Sequence, residues 1–244
     1  MDVPELTPDE IQARVLHRDG LMLVIDKPAG LPVHRGPKGG ANLETSFDAL
    51  RFGLPRPPVL AHRLDRDTSG CLVLGRHRKA TASLGLLFKH GKISKTYWAV
   101  VEGGPAEDEG TIDMPLGRLN AERGWWQKPD LEGQTAVTNW KVLGRGDGLA
   151  WLAMEPVTGR THQLRVHSSA MGWPIVGDNI YGTQASLRRL RNESYIPRFG
   201  EPTLHLHSRG IVIPISKNKD PVQVIAPAPA HLHPRLKACG WNGE

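Results

Sequence analysis

Apolar and polar positions along the chain predict many short strands and few helices. Short apolar runs at residues 21–25 and 71–75 are typical of buried strands, and residues 96–101 are rich in the aromatic and branched side chains that favour strands. Two further strands, at residues 135–143 and 149–154, flank a glycine-rich segment and so predict a hairpin. This mixture of strands and helices predicts an α+β fold.

Helical spacing of apolar residues appears in four segments, which are residues 8–16, 43–52, 78–90 and 161–171. In the third of these, Ala82, Leu86 and Leu87 form the apolar stripe of an amphipathic helix. The fourth is expected to end before Gly172 and Pro174, since both residues interrupt helices.

Chain length and composition favour one main ordered domain. The chain has 244 residues, of which 39% are hydrophobic and 23% charged, and this is enough apolar material for a buried core. We expect an N-terminal arm over residues 1–20, the main domain over residues 21–230 and a C-terminal tail over residues 231–244.

The sequence gives no indication of a membrane or secretory protein. No apolar run approaches the roughly 18 residues that a membrane span needs, and the first residues lack the pattern of a secretory signal. The two cysteines, Cys71 and Cys239, are too few for a disulfide scaffold. We therefore expect a cytoplasmic protein with reduced thiols.

Charge is unevenly distributed along the chain. The formal net charge is +6, but residues 159–200 contain six arginines against two acids, whereas residues 101–135 contain eight acids against three basic residues. One interpretation is a surface that attracts a polyanion such as RNA. The other is an ordinary solvated surface, and composition alone leaves both open.

Several kinds of chemistry are not indicated. The chain has no phosphate-binding glycine loop, no zinc-deaminase motif and no Gly-x-Ser-x-Gly turn of hydrolases. Two His-x-His pairs, His205 with His207 and His231 with His233, have a spacing that can ligate a metal from a strand. Because no second cluster has ligand spacing, we favour a structural role and predict no metal and no cofactor.

The segment around Asp65 is the first candidate for chemistry. Arg63 and Arg66 flank this carboxylate, and Thr68 with the following residues provides hydroxyl groups and a tight turn. Neighbouring arginines favour the ionised form of a carboxylate, which is then available as a nucleophile or base. The alternative is a loop held together by structural ion pairs between aspartate and arginine.

Residues 158–167 form the second candidate. Gly159, Arg160 and Thr161 predict the entrance of a helix, and if the rest of the segment is helical, His162 and Arg165 are three residues apart and share one face. Amide groups at the start of a helix favour anions, so the segment can hold a phosphate or a carboxylate. The alternative is a surface helix whose arginines are solvated.

Taken together and in order, these segments resemble the RluA family of RNA pseudouridine synthases. The resemblance covers residues 15–215, most of the chain. It rests on DKPAG at 26–30, HRLDRDTSG at 62–70, KTYWAV at 95–100, TGRTHQLRVH at 158–167, GWPIVGD at 172–178 and LHLHS at 204–208.

The resemblance implies the pseudouridine synthase fold, which is a long mixed, mostly antiparallel sheet flanked by helices and loops, with a central RNA-binding cleft. It implies conversion of specific uridines to pseudouridine in ribosomal RNA, transfer RNA or both, without cofactor or metal, and we expect a monomer. Many relatives begin with a small RNA-binding domain for which we see no room here. Residues 183–202, with Arg188, Arg189 and Arg191, are then either an RNA-gripping element or a solvated linker.

The resemblance also implies roles for particular residues. Asp65 matches the catalytic aspartate, which attacks the sugar C1′ or removes a sugar proton. Tyr97 matches a tyrosine that stacks on uracil and helps to move the C5 proton. Arg165 matches the basic partner of the aspartate, Leu164 an apolar position near the base, and Arg63 an arginine that fills the gap left by the extruded nucleotide.

Four further residues are expected to contact RNA or to brace the site. Arg160 and His162 are predicted to bind substrate, while Lys27 and Lys95 either contact phosphates or brace the site, with bracing favoured. A different class of function, an RNA-binding or RNA-chaperone protein whose modification activity is incidental or lost, remains the alternative. A metal-dependent hydrolase using the histidine pairs is a third hypothesis.

Overall fold

The structure is a computed structural model that describes residues 5–35, 40–118, 126–183, 203–216, 218 and 220–243. Within these ranges the chain forms two compact units, the first made of residues 5–95 and 208–228, and the second of residues 96–183, 203–207 and 229–243. Each unit contains both strands and helices, so the predicted α+β class is confirmed. The predicted arm, main domain and tail stay a prediction.

The first unit contains strands, two α-helices and a 3-10 helix. Its elements are α1 (Pro8–Ala13), β1 (Val15–Arg18), β2 (Met22–Lys27), a 3-10 helix (Leu43–Leu50), β3 (Val59–Leu60), β4 (Ser69–Gly75), α2 (Arg78–Lys89) and β12 (Val222–Ile225), with all but the first two residues of β11 (Leu206–Ile213). Strand β2 pairs antiparallel with β1 on one side and β4 on the other.

Strand β4 carries the segment that follows Asp65 into the core. All seven of its residues are buried, because neighbouring strands and packed side chains cover it. Its antiparallel register places Gly70 opposite Lys27 at the end of β2. The residues just before β4, among them Asp65, therefore lie near the end of β2.

Helix α2 packs differently from the sequence prediction. Its buried residues are Ala80 and Leu84, whereas Leu86 has 55% of its surface exposed and Ala82 is exposed as well. The predicted apolar stripe of Ala82, Leu86 and Leu87 is therefore wrong. Leu84 and Leu86 are about 200° apart on the helix, so a helix that buries Leu84 exposes Leu86, whereas Leu87 packs against the same core cluster as Leu84.

The second unit contains a four-stranded antiparallel sheet. Its elements are β5 (Ser94–Glu102, from its third residue), β6 (Glu109–Asp113), β7 (Leu116–Arg118), β8 (Gln127–Pro129), β9 (Val137–Gly146), β10 (Leu149–Pro156), α3 (Gln163–Ala170), a 3-10 helix (Ala230–Leu232) and α4 (His233–Ala238). The strand order is β5-β10-β9-β6, and β7 and β8 form a separate hairpin.

The predicted hairpin joins β9 and β10 through a tighter turn than the sequence suggested. Only Asp147 and Gly148 lie outside the strands, and both have positive φ, 54° and 72°. This is the two-residue turn that an Asp-Gly pair favours. The glycine-rich stretch before it, including Gly144 and Gly146, belongs to β9. These two positions are glycines because the carbonyl groups of residues 239 and 238 approach too closely for a side chain.

The two ends of the chain contain regular structure. Helix α1 begins with a capping box, in which Thr7 and Glu10 each accept a backbone hydrogen bond from the other. It ends at Ala13, earlier than predicted, because β1 starts at Val15 and pairs with β2.

Among the described residues, no helix has both the length and the apolar character needed to cross a membrane.

Candidate active site

Asp65 lies on a loop of the first unit, between β3 and β4. Its side chain is half-buried, whereas that of Arg63 is exposed. A turn closes the loop, since the backbone N–H of Thr68 donates to the carbonyl oxygen of Asp65 at 3.2 Å. The loop thus presents a half-buried carboxylate and, two residues before it, an exposed guanidinium group.

Lys27 holds the backbone of this loop from beneath. Its side chain is fully buried, and its ammonium group donates hydrogen bonds to the carbonyl oxygens of Pro28 (2.8 Å), Arg66 (2.8 Å) and Thr68 (2.9 Å). Burial lowers the pKa of Lys27 to about 7, although the nearby charges of Asp67 and Asp65 act to raise it. These contacts agree with the bracing role that the sequence favoured for Lys27.

A second set of contacts joins the same loop to the turn after β2. The N–H of Gly30 donates to the carbonyl oxygen of Arg66 at 3.0 Å, and the Nε of Arg66 donates to the carbonyl oxygen of Gly30 at 3.1 Å. Gly30 has a φ of 86°, a conformation that glycine adopts without strain. The carbonyl group of Arg66 therefore accepts from Lys27 and Gly30 at once, which fixes the residue next to Asp65.

His62 supports the other end of the loop. Its Nε2 accepts a hydrogen bond from the backbone N–H of Val73 at 3.0 Å, and its ring stacks on Phe88 with centroids 4.2 Å apart. Burial, and next the charge of Lys95, lower the pKa of His62 to about 3. A neutral ring is consistent with Nε2 acting as an acceptor, so His62 is a structural residue of the site.

Tyr97 and Leu164 lie in the second unit and share one core cluster. Tyr97 is half-buried on β5, opposite Met154 of β10, and packs against a cluster that contains Leu164, itself 6% exposed. A ring on the border of a core is held in place while one edge stays accessible. The roles predicted for both residues toward uracil stay predictions.

Arg165 is buried on α3 and paired with Asp178. Its Nε and Nη2 each donate to one carboxylate oxygen of Asp178 at 2.7 Å, and both side chains are nearly inaccessible. Burial by itself would raise the pKa of Asp178, but the hydrogen bonds and charge of Arg165, with the N–H groups of Ile180 and Tyr181, lower it overall. The role of Asp178 was not predicted from the sequence, although this residue ends the segment GWPIVGD at 172–178. The predicted pairing of Arg165 with Asp65 stays a prediction.

Tyr181 joins His162 to Arg165. The hydroxyl of Tyr181 lies 2.8 Å from Nδ1 of His162, and the guanidinium carbon of Arg165 lies 5.3 Å from the centre of its ring. Helix α3 begins at Gln163, and His162 precedes it with a φ of 54°. The expected shared helix face of His162 and Arg165 is therefore wrong, because the two side chains meet through Tyr181 instead.

A chain of hydrogen bonds attaches α3 to β9. The amide of Gln163 accepts from Thr158 and donates to Thr138, and the hydroxyl of Thr138 lies 3.0 Å from Nδ1 of His167, whose Nε2 lies 2.9 Å from the carbonyl oxygen of Met114. Burial lowers the pKa of His167, which favours the neutral ring that this arrangement uses. The network explains why Gln163 and His167 occur in the motif, and it positions Arg165 between them.

Arg160 and Lys95 differ in exposure. The exposed side chain of Arg160 donates from Nε to the carbonyl oxygen of Thr135 at 2.8 Å. Its backbone N–H donates to Oε1 of Gln163 at 3.0 Å. Lys95 is half-buried, and burial lowers its pKa. RNA binding by Arg160 and His162, and the choice between bracing and phosphate contact for Lys95, stay predictions.

One member of each histidine pair lies at hydrogen-bonding distance from a backbone carbonyl oxygen. His205 lies 2.8 Å from the carbonyl oxygen of Thr203, and His231 lies 3.1 Å from that of Leu204. Within the described ranges, no group of three or more histidine, cysteine, aspartate or glutamate residues has the geometry of a metal site. Residues 184–202, which include the arginines of the predicted RNA-gripping element, lie outside the described residues.

Comparison with known proteins bears on the same residues. The sequence matches a family model described as RNA pseudouridylate synthase over residues 21–170. An RNA pseudouridine synthase of Zymomonas mobilis, itself uncharacterised, is 43% identical over 218 residues, covering 88% of this chain and 94% of that protein. Ribosomal large subunit pseudouridine synthase D of Pseudomonas aeruginosa is 34% identical over 212 residues, covering 84% and 65%. The solved structure of human RNA pseudouridylate synthase domain containing 4 is similar with a TM-score of 0.75 at 28% identity, covering 94% of this chain and 95% of that one.

Proposed function

The chain belongs to the RNA pseudouridylate synthase family and is of the RluA type, and from this premise we propose that it modifies specific uridines of structured ribosomal or transfer RNA with Asp65 as its catalytic carboxylate. Its fold is that of the pseudouridine synthases, and it is an isomerase that converts uridine to pseudouridine in RNA. The identity of the RNA and the roles of the individual residues are part of the proposal.

The position of Asp65 carries the assignment of the carboxylate. It is half-buried on a loop whose next carbonyl group is held by Lys27 and Gly30. A group that must reach a ribose carbon needs such fixed placement, since small displacements of a catalytic group lower the rate steeply. Asp67, two residues away, is in an ion pair with Arg66 at 3.6 Å.

The reaction balances without a co-reactant. The bond between N1 of uracil and C1′ of the ribose breaks, the uracil turns, and C5 forms a bond to C1′. The hydrogen on C5 leaves as a proton, and N1 takes one up. Asp65 acts by one of two routes, either attacking C1′ to form an ester that the incoming C5 displaces, or removing a sugar proton that is later returned.

The other predicted residues serve this reaction. Tyr97 stacks on the uracil and its hydroxyl helps to move the C5 proton, Leu164 packs near the base, and Arg165 pairs with the catalytic carboxylate. Arg63 occupies the space left by the extruded nucleotide, because chemistry at C1′ and C5 requires the base to leave its stack.

Contacts with the RNA backbone offset the few kcal/mol that extrusion costs. We propose that the protein acts as a cytoplasmic monomer, and that Arg160 and His162 provide some of these contacts. The exposed side chains of Arg63 and Arg160 support a role for arginines in contacting the RNA.

Release of tritium from C5-labelled uridine tests the proposal. Transcribed transfer RNA and ribosomal RNA fragments are incubated with the native protein, the Asp65→Asn variant and the Asp67→Asn variant. We expect release by the native protein and by Asp67→Asn, and none by Asp65→Asn, although all three bind RNA. Because both variants remove one negative charge from the same loop, the comparison isolates the position of the carboxylate.

The RNA that releases tritium names the substrate class. Substantial release by Asp65→Asn would overturn the role of that residue. Binding of every RNA without release by the native protein would instead favour an RNA-binding or RNA-chaperone function.

A further inference from the structure

The outer surface of α2 and the turn after it is basic and lacks acids. Residues 68–101 contain six lysines and arginines and no aspartate or glutamate. Four of these cations, Arg78, Lys79, Lys89 and Lys92, are exposed. By contrast, residues 102–113 contain five acids and no lysine or arginine, so the basic character is local. These four exposed cations are called the α2 surface below.

The cations of the α2 surface have no acidic partner in the described part of the chain. Other surface arginines of the protein do pair, for example Arg51 with Asp48 at 2.9 Å and Arg145 with Asp108 at 2.8 Å. Arg78 and Lys79 also lie in the first turn of α2, which contains no acid. Cations at this end of a helix are slightly unfavourable, because they oppose the helix dipole.

Two cations of the α2 surface, Arg78 and Lys89, lie at the two ends of one helix face. Arg78, Ala82, Leu86 and Lys89 follow one another at spacings of four, four and three residues, so they lie on one face of the helix. The helix has 12 residues and is about 18 Å long. Cations thus stand at both ends of this face, and the short or apolar side chains between them leave room for an extended polyanion.

The α2 surface adjoins the loop that carries Asp65. Phe88, near the end of α2, stacks on His62 with centroids 4.2 Å apart, and His62 precedes Asp65 by three residues. Lys89 follows Phe88 directly, and Lys92 is three residues further along the chain. A strand of RNA that brings a uridine to Asp65 therefore has a line of cations beside it.

We propose that the α2 surface binds the phosphate backbone of the RNA substrate next to the target uridine. The inference rests on the proposed function, which supplies the RNA. An acidic protein is a poorer fit, because stable protein interfaces have an apolar, aromatic-rich centre. The outer face of α2 offers only Leu86 as a large exposed apolar side chain.

Binding of RNA at several salt concentrations tests the proposal. The α2 variant combines Arg78→Gln, Lys79→Gln and Lys89→Gln, all made in an Asp65→Asn background so that the RNA stays unmodified. The matched control combines Arg56→Gln, Lys141→Gln and Lys237→Gln, which removes three equally exposed charges elsewhere. A third protein, with Arg78→Lys, Lys79→Arg and Lys89→Arg, keeps every charge of the α2 surface.

Each phosphate contact contributes about 0.7–0.9 to the slope of log affinity against log salt. We expect the α2 variant to lose about 2 from the magnitude of this slope, and to bind at least roughly tenfold more weakly at moderate salt. The control and the charge-preserving variant are expected to stay within about twofold of the parent protein. Equal losses in the α2 variant and the control, or no loss in either, would overturn the proposal.

The two proposals fail in different ways. With Asp65 intact, the α2 changes are expected to raise KM for RNA by the same factor as the loss of affinity and to leave kcat within about twofold. If the native protein releases no tritium from any RNA, the proposed function fails while the salt slopes can still be compared. If the native protein is active and the α2 variant keeps its slope, only the inference about α2 is wrong.

Discussion

The ammonium nitrogen of Lys27 lies 2.8 Å from the carbonyl oxygen of Arg66, the residue that follows Asp65. This cation is fully buried and donates to three backbone carbonyl groups. A buried charge is tolerated only when its hydrogen bonds are satisfied, and here the acceptors belong to the loop that presents the candidate catalytic carboxylate. The stability of the fold and the placement of Asp65 therefore depend on the same side chain.

Replacing Lys27 by methionine is expected to lower kcat for tritium release at least roughly tenfold, because the carbonyl groups of Arg66 and Thr68 no longer accept from its ammonium group and the loop loses its fixed geometry. The affinity for RNA is expected to change little, since Lys27 is inaccessible to solvent. Rate and binding measurements on the same preparation check this. An unchanged kcat would mean that Gly30 and Arg66 alone hold the loop.

The same substitution gives a pH-dependent change in stability. Burial lowers the pKa of Lys27 to about 7 in the folded protein, whereas lysine in an unfolded chain titrates near pH 10. Between these two pKa values, Lys27 is protonated in the unfolded chain but not in the folded protein. The free energy of unfolding of the native protein therefore rises with pH, compared with that of Lys27→Met. The expected rise is at most about 1.4 kcal/mol per pH unit. Urea unfolding of both proteins from pH 7 to 9.5 measures it, and a constant difference would contradict the argument.

The sequence pattern was sufficient to predict local structure but not the burial of Lys27. The apolar run before it correctly predicted β2, because a central strand in a sheet needs continuous apolar side chains. A lysine at the end of such a strand is ordinarily solvated. Its three acceptors include carbonyl groups 39 and 41 residues further along the chain, and no local pattern records contacts at that separation.

Helix α2 shows a different limit. Its spacing and ends were predicted to within one residue, because these depend on local interactions. The predicted orientation of the helix was wrong, since Leu84, Leu86 and Leu87 allow more than one apolar stripe. Only the packing against the sheet selects among these stripes. Asp178 was missed for a related reason, because its partner Arg165 is separated from it by a turn and a loop.

Replacing Asp178 by asparagine is expected to lower the free energy of unfolding by about 3–5 kcal/mol, since it removes the charged carboxylate to which both Nε and Nη2 of the buried Arg165 donate. The effect depends on pH. Arg165 keeps the pKa of Asp178 below its usual value, so the stabilisation is present above about pH 4 and is lost as the pH falls further. Native and variant stabilities should therefore converge in acid. A difference of less than about 1 kcal/mol at pH 7 would show that the pair does not stabilise the protein.

Gly177, next to Asp178, is expected to tolerate no side chain. It has a φ of 76°, and an added Cβ would overlap the carbonyl oxygen of Thr203. Gly172 is a matched control, because it has a φ of 84° and no heavy atom within 4 Å of an added Cβ. Gly172→Ala is expected to cost about 1 kcal/mol, and Gly177→Ala at least about 2 kcal/mol more. Equal losses in thermal or urea unfolding would show that the close approach has little effect.

Replacing His62 by glutamine is expected to reduce the sensitivity of the protein to acid. The folded protein holds His62 neutral, with a pKa lowered to about 3 by burial, whereas histidine in an unfolded chain titrates near pH 6.5. Between these values only the unfolded chain takes up the proton, so the native stability falls as the pH decreases, by at most about 1.4 kcal/mol per unit. Glutamine keeps an acceptor for the N–H of Val73 but does not titrate. Unfolding measured from pH 7 to 4 should therefore show a shallower decline for the variant, and parallel curves would mean that the His62 ring takes up a proton without leaving its place in the fold.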